Sequence, residues 1–295
     1  MTLHSTIAAP SRPVVYKTRG RGHGPIVRLM SPGDLGAALK PFVFLDLFGG
    51  RSEFMGSMPL HPHSGIATIT VITEGDVRFD DPVSGSGTID YGGVEWMRAG
   101  GGVWHGKEMS AGKAASIKGF QLWIALPPEL ENGPVDSQYV ESRHIQQVGP
   151  ARVVIGRYEG AQSPVRAPDG LNYLLVTLAA NETWTYVPPD GHEVAWLAVS
   201  RGRVIVAEEE GDAEEGEMAV FKPGLDPIAL TAGKDGPATF VLASAVPHPH
   251  DLVTGYYSVH TTPEALAIGE AGIERLKARL TVDPNAPGAV PVFRG

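Results

Sequence analysis

Stretches with a side-chain period of two dominate this 295-residue chain. In residues 66–81, IATITVITEGDVRFDD, positions 66, 68, 70 and 72 fall on one face of a strand and positions 67, 69, 71 and 73 on the other, because successive side chains point to opposite sides. The same pattern continues in residues 87–105, 120–127, 151–160 and 172–187. The 37 glycines and 25 prolines favour short strands joined by tight turns over long helices, so the sequence predicts an all-β protein.

One segment near the end of the chain carries helical signals. Thr262 can cap a helix, Pro263 suits the first turn, and Glu264 is an early acidic residue. Apolar residues then fall near a common helical face at Leu266, Ile273, Leu276 and Leu280. These signals predict a C-terminal helix that packs on the sheets and does not form a domain of its own.

The chain also contains an internal repeat. Residues 67–77, ATITVITEGDV, align with residues 194–204, VAWLAVSRGRV, and residues 92–100 resemble residues 215–224 in the same order. The repeat predicts two copies of one all-β unit, joined by the Pro- and Gly-rich region around Gly133–Gly149. We therefore predict two domains, residues 1–140 and residues 141–295.

Composition narrows the classes of function. The formal charge is −9 without a cluster of Lys or Arg, which disfavours direct nucleic-acid binding. The chain has no cysteine, so any metal ion must be held by histidine or carboxylate. The N-terminus lacks the features of a secretory signal, and no apolar run approaches the roughly 20 residues of a membrane span. We expect a cytoplasmic monomer that does not enter a membrane.

Two histidines stand one residue apart at the head of the alternating segment, in HPHSG. His61 and His63 project to the same face of a strand, and the proline between them restricts the backbone. Further along, AGGGVWHGKEMS supplies His105 and Glu108 after glycines 100–102, which can adopt positive φ and bring the backbone close to a neighbouring strand. Three imidazoles and a carboxylate suit one divalent metal ion, which can be iron, manganese, nickel, copper or zinc. Ligands on one side of the ion leave two positions open for substrate and dioxygen.

The second copy of the repeat lacks these histidines. Pro188 and Asp190 stand where the first copy has His61 and His63, and Ala229 stands where it has His105. Histidines needed only for folding should appear in both copies or in neither, so this asymmetry favours chemistry in the first copy. The alternative is that the histidines are ordinary core or surface residues, and the role of the carboxylate as a fourth ligand stays open.

Four segments resemble the pirin family of bicupins, in the family's order: PFVFLDLFGG, HPHSGIATITVITEG, GGVEWMRAGGGVWHGKEMS and GYYSVHTTPEAL. The resemblance covers most of the chain and is strongest between Phe42 and Met109. It implies two stacked antiparallel β-barrels of the jelly-roll type, with one metal ion, usually iron and here Fe(II), in the N-terminal barrel. The family's metal motifs fall on His61, His63 and His105, and its glutamate ligand falls on Glu108.

The sequence departs from the family pattern at two positions. Pirins typically have His-x-Glu at the second metal motif, whereas Glu108 lies three residues after His105. An additional residue reverses side-chain direction on a regular strand, so Glu108 reaches the metal only if the chain bulges there. Pirins also commonly have a glutamate four residues after the second histidine, where this chain has Ala67. We expect both departures to fall in the pocket.

The resemblance implies two classes of function. Several pirins open the flavonol quercetin with dioxygen, which implies a quercetin 2,3-dioxygenase type of oxidoreductase with a flavonol-like aromatic substrate and Glu108 as general base. Mammalian pirins are iron-dependent transcriptional co-regulators, which implies the alternative of a non-catalytic metal-dependent module that binds a protein partner. Trp96, Met97 and Trp104 flank the metal motif and either line a pocket for a planar ligand or pack in the core.

Overall fold

A computed structural model of the protein describes residues 11–57, 59–81, 84–106, 108–206 and 211–280. Residues 1–10, on which the prediction about a secretory signal rests, lie outside this part of the chain, as do residues 281–295 at the end of the second predicted domain. In the described ranges no helix is both long enough and apolar enough to cross a bilayer.

The strands that begin before residue 141 are β1 (Val14–Thr18), β2 (Arg21–His23), β3 (Ile26–Met30), β4 (Phe42–Arg51), β5 (His61–His63), β6 (Ile66–Glu74), β7 (Val77–Asp81), β8 (Gly85–Ile89), β9 (Val94–Arg98), β10 (Val103–His105), β11 (Met109–Ala111), β12 (Ser116–Ala125) and β13 (Asp136–Val140). Seven of them form one antiparallel sheet in the order β13-β9-β6-β12-β4-β3-β2. Two smaller sheets, β11-β7-β8 and β10-β5, complete the N-terminal half.

The later strands are β14 (Gln147–Val148), β15 (Ala151–Ile155), β16 (Arg157–Tyr158), β17 (Ala161–Gln162), β18 (Leu171–Leu178), β19 (Thr183–Tyr186), β20 (Val194–Arg201), β21 (Arg203–Val206), β22 (Ala213–Glu214), β23 (Met218–Phe221), β24 (Ile228–Ala232), β25 (Ala238–Ala245), β26 (Val253–Gly255) and β27 (Ser258–His260). A second seven-stranded sheet has the order β1-β23-β20-β25-β18-β15-β14, and β19-β24-β21-β22 form a four-stranded sheet beside it.

One long helix, α2 (Pro263–Lys277), follows the last strand, and a single turn, α1 (Leu35–Ala38), precedes β4. Short 3₁₀ helices span Ser52–Ser57 and Ser142–His144. Thr262 caps α2 by accepting a hydrogen bond from the Ala265 N–H at 3.1 Å, and the helix buries Ile273 and Leu276. The predicted helix and its N-terminal cap are confirmed.

The two seven-stranded sheets pack against each other through one shared hydrophobic core. Phe42 of β4 meets Trp196 of β20 edge to face, with ring centroids 5.6 Å apart. On β6 the face with Ala67, Ile69 and Val71 enters this core, as the period of two predicts. Ala67 therefore packs between the two sheets and lines neither cavity at the histidines, so the expectation that this position falls in the pocket is wrong.

Each end of the described chain packs on the opposite half. Strand β1 pairs with β23 of the second sheet, while Ser258 at the start of β27 forms a bridge with Ser64, beside β5 in the N-terminal half. Strand β10 contacts α2. The architecture confirms the prediction of a mainly β protein with two cupin-like halves and a C-terminal helix, although neither barrel is closed. The division near residue 140 stays a prediction.

Candidate metal centre

A two-stranded sheet brings the three predicted histidine ligands together. Strands β5 and β10 are antiparallel, and their register places His61 opposite His105 and His63 opposite Val103. The imidazole centroids of His61 and His105 are 4.5 Å apart, and that of His63 lies 4.9 Å from the first and 5.1 Å from the second. One ligand nitrogen from each ring lies within 4.8 Å of the other two, so the cluster could hold a metal ion.

Hydrogen bonds fix the orientation of two of these rings. Nδ1 of His61 lies 2.8 Å from the carbonyl oxygen of Pro59, and Nδ1 of His63 lies 3.1 Å from that of Tyr257. Because a carbonyl oxygen can only accept, Nδ1 carries the proton in both rings and Nε2 keeps its lone pair. Such a partner on the other ring nitrogen is the usual support of a metal-binding histidine.

The buried nitrogens of the cluster fit a metal ion. Nε2 of His63 and Nε2 of His105 are buried, and neither has a hydrogen-bond partner among the described residues. A buried polar atom without a partner costs free energy, and coordination of a cation would remove that cost. Neutral imidazole is a preferred ligand of zinc, copper, iron and nickel.

Burial also keeps the three imidazoles uncharged. It lowers the pKa of His61, it lowers the pKa of His63 to about 3, and it lowers the pKa of His105 well below its ordinary value. The neighbouring imidazoles add to the effect at His63 and His105, because like charges close together disfavour protonation. Neutral rings are the form in which histidine binds a metal.

Glu108 lies beside the histidine cluster but is not one of the three residues that form it. The chain leaves β10 after His105, and Gly106 has a φ of +127°. The Glu108 carboxylate is buried, and its Oε2 accepts a hydrogen bond from the Gly106 N–H at 2.8 Å. The role of Glu108 as a fourth ligand stays a prediction.

Two of the three glycines before His105 adopt the predicted positive φ, and the first approaches a turn, not a strand. Gly100 and Gly102 have φ values of +51° and +132°, in the region that favours glycine. A Cβ atom on Gly100 would lie only 2.0 Å from the carbonyl oxygen of Gly133. This close approach ties the start of β10 to the segment before β13.

Two cavities meet at His61. The inner cavity, of about 50 Å³, is lined by His61, His105 and Glu108, among others. The vestibule, of about 560 Å³, opens toward solvent and is bounded by β4, β12 and the β26–β27 hairpin. His61, Asp46 and Gln121 border both cavities, so a molecule in the vestibule can reach the histidine cluster.

Aromatic rings form one wall of the vestibule. Phe44 and Trp123 are stacked with centroids 4.0 Å apart, and Trp123 lies 4.8 Å from the ring of His63. Tyr257 stands 5.7 Å from His61, also between ring centroids. Arg28 covers the Phe44 ring at 3.9 Å. Large flat surfaces of this kind suit a planar ligand.

Trp96, Met97 and Trp104, which the sequence offers as alternative residues for a ligand pocket, do not line this wall. Trp96 and Met97 are buried in hydrophobic clusters, and Trp104 donates its Nε1 proton to the carbonyl oxygen of Ile273 in α2 at 3.0 Å. The core-packing interpretation is correct for Trp96 and Met97, whereas Trp104 is half-buried against α2 and lines neither cavity.

The sequence did contain a signal for part of the vestibule wall. Asp46 and Gln121 are lone polar residues in the apolar runs PFVFLDLFGG and FQLWIALP. Asp46 is buried and pairs with Arg28, whose Nη2 lies 3.1 Å from Asp46 Oδ2. Burial raises the pKa of the Asp46 carboxyl, and the hydrogen bond from Arg28 opposes that rise.

Glu95 is another buried carboxyl, connected to the inner cavity through Thr70. Glu95 of β9 accepts a hydrogen bond from the Thr70 hydroxyl at 2.8 Å, and Thr70 lines the inner cavity. Burial raises the pKa of Glu95 to about 7, and the nearby carboxylates of Glu108 and Asp81 add to the rise. This carboxyl can therefore exchange a proton near neutral pH.

The corresponding interior of the C-terminal half holds polar side chains that satisfy one another. His192 Nδ1 lies 2.8 Å from Ser244 Oγ, which lies 2.7 Å from the Tyr186 hydroxyl. Asn172 donates to the same tyrosine hydroxyl at 3.2 Å. Among the described residues the cluster of potential metal ligands lies in the N-terminal half, in agreement with the asymmetry of the repeat.

Comparisons with known proteins agree with this fold. The family model described as Pirin matches residues 26–124. A pirin-like protein of Caulobacter vibrioides is 33% identical over 240 residues, 77% of this chain and 85% of the relative. A protein of Pseudomonas aeruginosa, named provisionally as a quercetin 2,3-dioxygenase, is 30% identical over 219 residues, 66% of this chain and 75% of the relative.

Solved structures have the same architecture. The crystal structure of a quercetin 2,3-dioxygenase from Acinetobacter baumannii superposes with a TM-score of 0.78 at 23% identity and covers 91% of this chain and 98% of its own. A bacterial pirin of Escherichia coli in complex with nickel(II) superposes with a TM-score of 0.57 at 17% identity, over 80% of this chain and 96% of its own. The fold and the histidine cluster define a cupin-type protein. Within that class, this chain belongs to the pirin family.

Proposed function

We propose that this protein is a metal-dependent oxidoreductase of the quercetin 2,3-dioxygenase type, which opens a flavonol-like aromatic substrate with dioxygen. The observation that carries the proposal is the vestibule of about 560 Å³, which has aromatic walls and ends at His61 of the histidine cluster. The provisional name of the relative from Pseudomonas aeruginosa supports the same reaction.

His61, His63 and His105 would hold the metal ion through Nε2, since Nδ1 of the first two faces a carbonyl oxygen. A divalent ion held there would supply a positive charge that lowers the pKa of a substrate hydroxyl. The sequence prediction of Fe(II) remains our first choice of metal, and nickel is supported by the nickel-bound pirin of Escherichia coli.

Two carboxyl groups at the inner cavity would accept the substrate proton. Glu108 is buried and lines the same inner cavity as His61 and His105, so we assign it the role of general base toward the substrate hydroxyl. Glu95, with a pKa of about 7, would accept the proton from this region of the site. The side chains of Trp123 and Tyr257, which line the vestibule, would contact the planar rings and exclude water.

The test is oxygen consumption by protein that has been stripped with a chelator and reloaded with Fe(II), Ni(II) or Mn(II) separately. We expect quercetin-dependent oxygen uptake with at least one metal, none without metal, and none in His61→Ala. His144→Ala is the matched control, because His144 is exposed in a 3₁₀ helix outside the cluster. Elemental analysis of each sample gives the number of ions per chain.

Full turnover by His61→Ala, or by the metal-free protein, would contradict the proposal. A second outcome would favour the regulatory module implied by the family: one ion per chain, no turnover of flavonols or catechols with any of the three metals, and metal-dependent capture of a protein partner. The cytoplasmic location and the monomeric state stay predictions from the sequence.

A further inference from the structure

A buried chain of hydrogen bonds leads from β27 to the residue that follows His63. Ser64 Oγ donates to Ser258 Oγ at 2.8 Å, and Ser258 Oγ donates to the carbonyl oxygen of Tyr256 at 3.0 Å. Nε2 of His260 lies 3.0 Å from Ser64 Oγ. Since each hydroxyl has one proton and Ser64 gives its own to Ser258, His260 is the donor to Ser64. The chain therefore runs in one direction, from His260 to the Tyr256 peptide.

Glu131 lies on the other side of the His260 ring and is held by Thr261. Its Oε2 lies 3.3 Å from His260 Nδ1 and accepts a hydrogen bond from the Thr261 N–H at 2.7 Å. Its Oε1 accepts from the Thr261 hydroxyl, also at 2.7 Å. Glu131 is 3% exposed and His260 is 1% exposed, so this contact is shielded from solvent and held on two adjacent residues.

Helix α2 leaves room for the hydrogen-bonded pair of His260 and Ser64. A Cβ atom on Gly269, in the middle of α2, would lie 2.5 Å from both His260 Nε2 and Ser64 Oγ. Glycine is unfavourable inside a helix, so the sequence gives up helix stability at the position where α2 crosses the hydrogen-bonded pair. This matched gap indicates that the pair is a built feature of the fold.

The hydrogen-bond chain ends on a strained turn that contacts the histidine cluster. Gly255 pairs with Ser258, so Tyr256 and Tyr257 form the two-residue turn between β26 and β27. Tyr257 has a φ of +53°, a conformation that a non-glycine residue keeps only when its surroundings hold it. The carbonyl oxygen of Tyr257 is the acceptor for Nδ1 of His63. A change in the turn would therefore change the orientation of that imidazole.

Ser64, His260 and Glu131 are the residue types of a hydrolase triad, but His260 donates to Ser64 here, and this arrangement cannot act as one. Ser64 has no exposed surface and lines neither the inner cavity nor the vestibule. Its hydroxyl proton is already directed to Ser258. The group can hold neighbouring atoms in place, but no substrate could reach the hydroxyl.

We propose that His260 and Ser64 are positioning residues of the metal centre. They hold the Tyr256–Tyr257 turn so that the Tyr257 carbonyl keeps the proton on Nδ1 of His63 and directs Nε2 toward the metal ion. This inference rests on the metal binding contained in the proposed function. It makes the C-terminal hairpin a part of the metal site, in addition to a wall of the vestibule.

The test compares two buried His–Ser pairs of this protein, with Co(II) as the probe of metal binding. Ser64→Ala and His260→Leu interrupt the hydrogen-bond chain, whereas Ser244→Ala and His192→Leu interrupt the matched pair in the C-terminal half. We expect the wild type and both controls to bind one Co(II) with the same visible absorption spectrum. Loss of outer support typically costs 10- to 100-fold in metal affinity. We expect a loss of about that size, and an altered spectrum, for Ser64→Ala and His260→Leu.

Ser258→Ala is the milder variant if His260→Leu does not fold, because it removes only one buried hydroxyl and cuts the same hydrogen-bond chain. Ser258→Thr restores the hydroxyl on a strand and should restore the affinity and the spectrum. Wild-type affinity and spectrum in Ser64→Ala and Ser258→Ala would overturn the inference. Failure of the wild type to bind Co(II) would instead overturn the proposed metal function.

Discussion

Nδ1 of His63 lies 3.1 Å from the carbonyl oxygen of Tyr257, which follows it by 194 positions in the sequence. The hydrogen bond joins a strand of the N-terminal half to a hairpin that follows the strands of the C-terminal sheet in the sequence. At the other end, β1 pairs with β23 of that sheet. The histidine cluster is therefore complete only when both halves of the chain have folded and docked.

The shared core predicts that the two halves unfold together. Phe42 is fully buried against Trp196 of the other sheet, so Phe42→Ala removes a large side chain and leaves a cavity in the common core. We expect a loss of about 3–5 kcal/mol in the free energy of unfolding, measured by urea denaturation. The transition should stay a single one.

Fluorine NMR of protein labelled with 5-fluorotryptophan distinguishes the two halves. Trp123 reports on the N-terminal sheet and Trp184 on the C-terminal half. Both signals should disappear at the same urea concentration in the wild type and in Phe42→Ala. Loss of the Trp123 signal at a clearly lower urea concentration than the Trp184 signal would show that the halves are independent.

The parts of the fold that depend on local sequence were predictable. The period of two placed the faces of β6 correctly, the threonine–proline pair marked the start of α2, and an H-x-H pattern on one strand identified two members of the histidine cluster. His105 was found because glycines, a histidine and a glutamate occur together, and the structure places it opposite His61.

The parts that depend on contacts between distant segments were not predictable. No local pattern indicates that β1 joins the sheet of the opposite half, or that His260 reaches Ser64. The expectation that Ala67 lies in the pocket is wrong, because its spacing from the second histidine does not show that its side chain enters the shared core. The vestibule forms only where three segments meet. In the sequence, their aromatic residues have the pattern of ordinary core residues.

Glu95→Gln should make the metal-free protein more stable at alkaline pH. Burial raises the pKa of Glu95 from 4.5 to about 7, so the folded state binds its proton more tightly than the unfolded state. The wild type therefore loses stability as the pH rises from about 4.5 through about 7, and the neutral amide avoids this loss. At about 1.4 kcal/mol per pKa unit, the gain of the variant approaches roughly 3 kcal/mol above pH 8 and vanishes near pH 4.

Urea denaturation of metal-free protein at pH 5 and pH 8 measures this difference. Glu129→Gln is the control, because Glu129 is exposed and its replacement should not change the pH dependence. An equal effect of Glu95→Gln at both pH values would show that the Glu95 carboxyl is not held protonated by its buried position.

Trp123→Leu should weaken substrate binding more than it slows turnover. Trp123 stacks on Phe44 in the wall of the vestibule, and aromatic pairs contribute about 0.5–1.5 kcal/mol beyond the area they bury. We expect KM for quercetin to rise roughly 2- to 10-fold with a smaller change in kcat, measured as oxygen uptake. The matched control is Trp184→Leu in the C-terminal half, which should leave KM unchanged. An unchanged KM in Trp123→Leu would remove the vestibule as the substrate site.

Glu108→Gln distinguishes the two roles that the family pattern and the structure give to this carboxylate. Its Oε2 already accepts the Gly106 N–H, and the three residues whose ligand atoms cluster are all histidines. We therefore expect Glu108→Gln to keep one metal ion per chain with nearly wild-type affinity. A general base typically contributes 10²- to 10⁴-fold to the rate, so kcat should fall by about that factor.

Metal titration and oxygen uptake on the same sample separate the alternatives for Glu108. A drop in metal affinity well beyond the roughly 10- to 100-fold that loss of outer support costs would identify Glu108 as a ligand. Wild-type affinity with wild-type kcat would leave Glu108 neither role. That outcome would transfer the task of accepting the substrate proton to Glu95, which is hydrogen-bonded to Thr70 on the wall of the same inner cavity. The double variant with Glu95→Gln should then lose the activity that Glu108→Gln retains.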